Sequence, residues 1–287
     1  MSAPPLGVVG GSGLYGIAGL EGAREERVRT PFGDPSDAYL IGRIGGRPVV
    51  FLARHGRGHR LTPGEINFRA NVCGFKMLGV ERLVSVSAVG SMKEEIRPLD
   101  VVLPDQIIDR THGRPSTFFG AGVVAHVSLA DPVCADLRAA VAAAARPTGV
   151  RLHDGGTYLC IEGPQFSSRA ESRLYRSWGV DVIGMTNAQE AKLAREAEIC
   201  YATMAMVTDY DCWHDEEADV SVGEVVAHLR DNAERAQAIL ARTLEIVPAA
   251  RRCLCATALR DAILTERAHI PEEARRRLLP VAGGHLD

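Results

Sequence analysis

Ile199-Cys200-Tyr201-Ala202-Thr203-Met204-Ala205-Met206 runs directly into Val207-Thr208-Asp209-Tyr210-Asp211-Cys212-Trp213. The first eight residues are apolar or small, continuous and bounded by charge, which predicts a strand buried on both faces. Asp209 and Asp211 fall where that strand ends. In an open α/β sheet the carboxyl ends of the strands are where ligands bind. Two residues apart on an extended chain, both side chains point to one side. Two acids aimed into one cleft suit a base or amine that is to be recognised or protonated. The pair is equally consistent with a helix cap or a solvated turn, because Asp is common after strands.

Upstream, Gly7-Val8-Val9-Gly10-Gly11-Ser12-Gly13-Leu14-Tyr15-Gly16 is a short strand entering a glycine-rich turn. Gly11, Gly13 and Gly16 spell G-x-G-x-x-G, but the breakers in Thr30-Pro31-Phe32-Gly33-Asp34-Pro35 leave no room for a crossover helix, so a dinucleotide fingerprint is rejected. A nest of backbone N–H groups around Ser12, suited to an anion, is the functional reading that survives; a plain tight turn is the alternative. Residues 39–44 and 48–53 predict a hairpin across Gly45-Gly46 that ends in Arg54-His55-Gly56, a natural anion clamp. A helix is expected over about 64–78. Residues 82–91 predict a strand carrying Ser87 and Ala88, followed by extended stretches at 101–104 and 106–109 and an irregular segment over 110–128.

Asp131-Pro132 is expected to open an alanine-rich helix through about residue 145, with Pro132 in its first turn. A strand over 156–161 runs into Glu162-Gly163-Pro164-Gln165-Phe166, and Ser168 with Glu171 makes an S-x-x-E capping box for a helix reaching Trp178. After a strand over 180–183, Thr186 is placed to cap the next helix. Ser221 with Glu224 makes a second capping box, opening a long helix to about Leu244. Helical patterns are expected near 256–266 and 271–279, and residues 282–287 are expected to fray.

Strands and helices therefore interleave without a linker, which predicts one α/β domain over residues 1–287 around a mixed central sheet. The 24% charged residues, net charge of −3 and lack of a basic block argue against a nucleic-acid partner. No apolar run is long enough for a membrane span, and Met1-Ser2-Ala3-Pro4-Pro5 has no signal-peptide pattern. The seven cysteines are scattered in mostly apolar runs, which suits reduced thiols of a cytoplasmic protein. Cys253-Leu254-Cys255 reads as two ordinary thiols on a C-terminal helix, with a redox pair as the alternative. His55, His59, His112 and His126 are too dispersed for a metal cluster, so no metal is expected.

Taken in order, Gly10-Gly11-Ser12-Gly13-Leu14, Thr30-Pro31-Phe32-Gly33, Ala53-Arg54-His55-Gly56-Arg57, Pro63 with Asn67 and Asn71, Glu162 through Glu171, Met185-Thr186 and Thr208 through Trp213 carry a specific pattern. It resembles the purine nucleoside phosphorylase superfamily, and within it the branch acting on S-methyl-5'-thioadenosine. The resemblance spans roughly residues 6 to 245 and is poor beyond about 250. It implies a barrel-like mixed sheet flanked by helices, a homotrimer with sites near subunit interfaces, and phosphorolysis with inorganic phosphate as co-substrate and no cofactor. It implies Ser12, Arg54, His55, Ser87, Ala88 and Thr186 as phosphate ligands. Asp209 and Asp211 would take the purine, with Phe166, Met185 and Tyr210 also against the nucleoside. The 6-oxopurine members of the superfamily generally place Asn at the first acidic position, so Asp209 points to a 6-aminopurine. Val222, Val225 and Val226 would wall the 5' substituent, His126 of a neighbouring subunit would join them, and Ser167 matches a position tied to specificity. Gly184 and Asn187-Ala188-Gln189 depart from the pattern of some relatives. The competing expectations are a 6-oxopurine phosphorylase, which Asp209 disfavours, and a phosphate- or nucleotide-binding regulatory module without turnover.

Overall fold

Two ten-residue strands, β5 (Arg82–Ser91) and β11 (Cys200–Asp209), lie side by side in parallel and form the axis of the fold. Nearly every residue in both is buried, as expected for strands covered on both faces. The computed structural model of the chain describes residues 3–214 and 222–286, with the side chains of 222–227 outside what is described. The second capping box of Ser221 and Glu224 and the valine wall of Val222, Val225 and Val226 therefore lie outside the described residues.

The glycine-rich turn follows β1 (Leu6–Gly10), and the hairpin is β3 (Tyr39–Ile44) with β4 (Arg47–Ala53), extended at the edge by β2 (Glu21–Glu26). Strands β4, β1, β5 and β11 are consecutive parallel neighbours, so their carboxyl ends share one edge. At that edge β10 (Val182–Gly184) pairs antiparallel with the end of β5. It leads outward to β9 (Thr157–Ile161) and then β7 (Gln106–Arg110). The sheet branches on the other side, where β11 pairs β6 (Val101–Leu103), which pairs β8 (Leu152–Asp154). The sheet is thus mixed, as the sequence predicts.

Alternate residues along the strands feed two cores. Val9 and Leu83 pack with α1 (Phe68–Met77), α4 (Asn187–Glu196) and α6 (Glu272–Ala282) on one face. Val8 and Val84 pack with α2 (Ala135–Ala145) and α5 (Val222–Ile246) on the other. The helix α3 (Arg169–Ser177) has the predicted capping box, with Ser168 and Glu171 each bonding the other's backbone. No helix among the described residues is long and apolar enough to cross a membrane.

Several local expectations are corrected. Helix α1 starts at Phe68 because the Asn67 side chain caps it by accepting from the Ala70 N–H. Helix α2 starts after Cys134, leaving Pro132 outside it. The segment near 256–266 is not helical: it holds a short 3-10 turn at Leu254–Thr257 and then bonds to distant partners. Leu259 N–H donates to Glu198, and Leu264 N–H to the Val124 carbonyl. His126 N–H in turn donates to the Ala262 carbonyl. The irregular segment over 111–130 thus supplies bonds that an α-helix would have kept to itself. The described end of the chain, residues 282–286, does not fray: Leu286 is buried in the same core as Leu278 and Val281.

Candidate active site

Register places the anion-binding groups. Gly10 lies opposite Ala53 on one side and Val86 on the other, so Gly11, Arg54 and Ser87 are the residues one step past a single rung. The Gly11 N–H donates to the Val86 carbonyl at 2.9 Å, and the Leu14 N–H to the Gly11 carbonyl at 3.1 Å. Ser12 and Gly13 are therefore the turn residues whose N–H groups are left for an anion among the described residues.

Arg54 is 1% exposed and its guanidinium is held from below. Nε donates to Glu190 Oε1 at 2.5 Å, Nη2 to Glu190 Oε2 at 3.3 Å and Ser85 Oγ at 2.6 Å, and Nη1 to the Val86 carbonyl at 3.2 Å. Glu190, itself buried, also accepts from the Tyr201 hydroxyl at 2.9 Å, and Thr203 donates to that hydroxyl at 2.9 Å. Asn187 Nδ2 donates to Thr203, and its Oδ1 accepts from Ser87 at 2.9 Å. One polar network thus orients both Arg54 and Ser87. The Asn187 amide joins the two halves of this network. Gly184 makes room for the buried Tyr158 hydroxyl, which would stand 1.9 Å from a Cβ there.

His55 Nδ1 lies 2.8 Å from the Leu61 carbonyl, which makes Nδ1–H the donor of that bond. Burial, then the Arg54 charge, pushes its pKa down to about 4. The His59 ring stacks on it at 4.3 Å, with His59 Nδ1 2.9 Å from the Tyr15 hydroxyl.

The acidic pair is assembled differently from the sequence expectation. The register of β11 against β5 slips between Val207 and Asp209, a bulge that turns Asp209 toward Gly90. The strand ends there, and Asp211 opens a 3-10 turn with φ of 55°, so strand alternation is not what aligns the two. Instead the Asp211 N–H donates to Asp209 Oδ1 at 2.8 Å, while Thr208 Oγ1 donates to Oδ2 at 2.7 Å. Both bonds hold the Asp209 carboxylate group in one orientation. Asp211 is buried and accepts from Ser172 Oγ at 2.5 Å. Burial raises its pKa to about 6; the Ser172 bond opposes this and the Asp209 charge adds to it.

Ser12, Arg54, His55, Ser87, Ala88, Thr186, Asp209 and Asp211 all line one cavity of about 240 Å³, together with Phe166, Ser167 and Met185. Thr186 stands at the N-cap position of α4, but its side chain makes no capping bond there. Tyr210 is not on the cavity wall; its ring packs against Trp213 and His214 in an apolar cluster behind it. His126 is likewise not on the wall of this cavity. His59 and Pro63 line it, although sequence gave them no role. Another residue missed is Arg114, from the irregular segment after β7. Its Nη1 donates to the Met185 carbonyl at 2.6 Å, its Nε to Glu162 at 2.9 Å, and its Nη2 to the Glu162 carbonyl. It joins two stretches of the wall, and an arginine in a loop carries no signal of that in sequence. Helix α5 is tied to the same edge. His228 lies 2.7 Å from the Thr208 carbonyl and Asn232 Nδ2 donates to the Val207 carbonyl at 2.9 Å.

An anion cradle and a pair of acids on one cavity wall can hold an oxyanion against one side of a substrate and a basic group on the other. The family model described as the phosphorylase superfamily matches residues 5–245. An S-methyl-5'-thioadenosine phosphorylase of Koribacter versatilis is 57% identical over 281 residues, 98% of this chain and 96% of that protein. One of Geobacter sulfurreducens is 56% identical, covering 98% and 99%. A solved methylthioadenosine phosphorylase from an Antarctic soil metagenomic library superposes with a TM-score of 0.92 at 46% identity, over 98% of this chain and 99% of that one. The Schistosoma mansoni methylthioadenosine phosphorylase in complex with adenine superposes with a TM-score of 0.83 at 34% identity, over 90% and 96%. The parallel strand edge, the cavity and the acid pair all fall within the matched span, and the chain belongs to the phosphorylase superfamily.

Proposed function

We propose that the chain is an S-methyl-5'-thioadenosine phosphorylase, a pentosyltransferase built as one domain over residues 1–287. The observation that carries this reading is the convergence of the six anion-binding residues and the Asp209–Asp211 pair on a single cavity. Inorganic phosphate, held by Ser12, Arg54, His55, Ser87, Ala88 and Thr186, attacks the anomeric carbon. A phosphate oxygen bonds to C1', the C1'–N9 bond breaks, and its electron pair leaves with the purine. Products are adenine and 5-methylthioribose 1-phosphate. Asp211, its pKa raised to about 6 by burial, supplies the proton for N7, and Asp209 supplies the acceptor for the 6-amino group. Phosphate is the co-substrate and no cofactor enters the step.

Phe166 and Met185 lie against base and sugar in this reading, with Ser167 beside them, all on the cavity wall. Tyr210 acts from behind, by packing the turn that carries the acids. The apolar wall expected of Val222, Val225 and Val226 lies outside the described residues; the helix to which they belong is tied to the site's edge at His228, 2.7 Å from the Thr208 carbonyl. His126 reaches the site of a neighbouring subunit in a homotrimer. The relatives' names support the substrate, and a cytoplasmic role in purine and methionine salvage follows from it.

The test is base release from methylthioadenosine, adenosine and methylthioinosine, with and without phosphate. Phosphate-dependent adenine release, fastest from methylthioadenosine, is expected. Preference for methylthioinosine overturns the purine assignment, and absence of release from all three overturns the enzyme reading in favour of a binding module.

A further inference from the structure

Four of the seven cysteines meet at one point far from the cavity. The sulfurs of Cys134, Cys200, Cys253 and Cys255 all lie within 4.8 Å of one another, with Cys200 and Cys253 at 3.3 Å. They come from three separate parts of the chain. Cys134 is the N-cap of α2, Cys200 is the first residue of β11, and Cys253 and Cys255 flank Leu254 in the C-terminal segment. This dispersal is why spacing along the chain shows no metal pattern.

We propose that these four thiols form a closed tetrathiolate site for a zinc ion. A tetrahedral zinc with bonds of about 2.3 Å to sulfur holds its ligands about 3.8 Å apart, so four sulfurs must be mutual neighbours. That condition is met here, whereas two disulfides need only two close pairs. The surroundings fit the charge. Binding releases four thiol protons and leaves a net dianion around the metal. Cys134 at a helix N-terminus is in the position that favours a thiolate. A surface cleft bordered by Arg82, Arg251 and three of the cysteines brings cations to the cluster and gives the ion a way in. Four protein ligands leave no open position for chemistry, so the site is structural. Cys200 and Asp209 stand at opposite ends of β11, ~30 Å apart at the rise of a strand. The ion would staple the segment after α5 to the start of β11 and the head of α2.

The full chain, purified under reductant, is assayed for zinc by mass spectrometry, and the chelated protein is refilled with cobalt(II). One zinc per chain and the intense thiolate-to-cobalt bands of a tetrahedral site are expected. Cys255→Ser and Cys134→Ser should each lose the metal and lower the melting temperature, while Cys73→Ser, outside the cluster, keeps it. If a variant fails to fold, the cobalt spectrum of the unaltered chain still decides. Thiol titration of the unfolded, unreduced chain separates the alternatives. No metal with all seven cysteines reactive would overturn the proposal in favour of ordinary core thiols. No metal with only Cys73, Cys160 and Cys212 reactive would overturn it in favour of two disulfides.

Discussion

The backbone N–H of Asp211 donates to Oδ1 of Asp209 at 2.8 Å, so one acid of the pair is held in place by the peptide that carries the other. The bond occupies one lone pair of Asp209, while burial raises the pKa of Asp211 to about 6. Two carboxyls of one dipeptide-spaced motif thereby acquire different roles.

Asp209→Asn replaces an acceptor with an amide that also donates. The preference should move from 6-amino toward 6-oxo substrates, by roughly tenfold or more for a gained and a lost hydrogen bond. The ratio of kcat/KM for methylthioadenosine and methylthioinosine checks it, and an unchanged ratio removes Asp209 from purine recognition.

Gly90→Ala places a Cβ 2.9 Å from Asp209 Oδ1 and 3.4 Å from Asp211 Cβ. Displacing a reacting group by about an ångström costs on the order of 10²-fold in rate. A kcat/KM loss of that size with an unchanged circular dichroism spectrum is expected; full activity would show that the pair tolerates movement.

Glu190→Gln leaves the buried Arg54 cation without its counter-charge. Removing one partner of a buried pair costs roughly 3–5 kcal/mol of stability. The KM for phosphate should rise, since a Gln amide keeps only one of the two acceptor oxygens that aim the guanidinium. Urea unfolding and phosphate titration measure the two effects, and an unaltered KM for phosphate would mean that Arg54 is oriented by Ser85 and Val86 alone.

Asp211 and His55 should bend the pH dependence of stability in opposite directions. Asp211 is raised to about 6 from 3.8, so its contribution is full below about pH 4 and falls as pH rises through 6. His55 is lowered to about 4 from 6.5, so its contribution is full above about 6.5 and is lost as pH falls through 4. Relative to the unaltered chain, Asp211→Asn should gain stability on going from about pH 4 to 6, and His55→Gln should lose it, each by roughly 3 kcal/mol. Parallel melting curves across that window would contradict both assignments.

Deleting residues 283–287 should destabilise the chain by ~2–3 kcal/mol, the worth of one buried leucine. Leu286 is 2% exposed, and its carbonyl accepts from Arg275. An unchanged unfolding midpoint would restore the expectation of a frayed tail.

The legible parts of the fold were those with short-range causes. Buried strands such as β11 are continuous apolar runs, and the hairpin of β3 and β4 is announced by Gly45-Gly46. The capping box at Ser168 is complete within four residues. Misread parts were those whose backbone bonds go elsewhere. The segment after Leu254–Thr257 has a helical pattern, yet Glu198 and Val124 claim its N–H groups. The pairing of Asp209 with Asp211 was expected from strand alternation and arises from a bulge and a left-handed residue instead.

For the site, sequence determined which side chains stand at strand ends, because strand length and the residue after it are local properties. Arg54, His55, Ser87 and Asp209 were placed in this way. Only the tertiary structure decided that these ends share one edge, because parallel order depends on crossovers that pair β1 with β4 and β5 with β11. It likewise decided that Glu190 lies beneath Arg54, that Arg114 ties Glu162 to Met185, and that four distant cysteines meet. Each of these joins residues separated by tens of positions, and a contact of that range is set by how whole strands and helices pack, which no local pattern encodes.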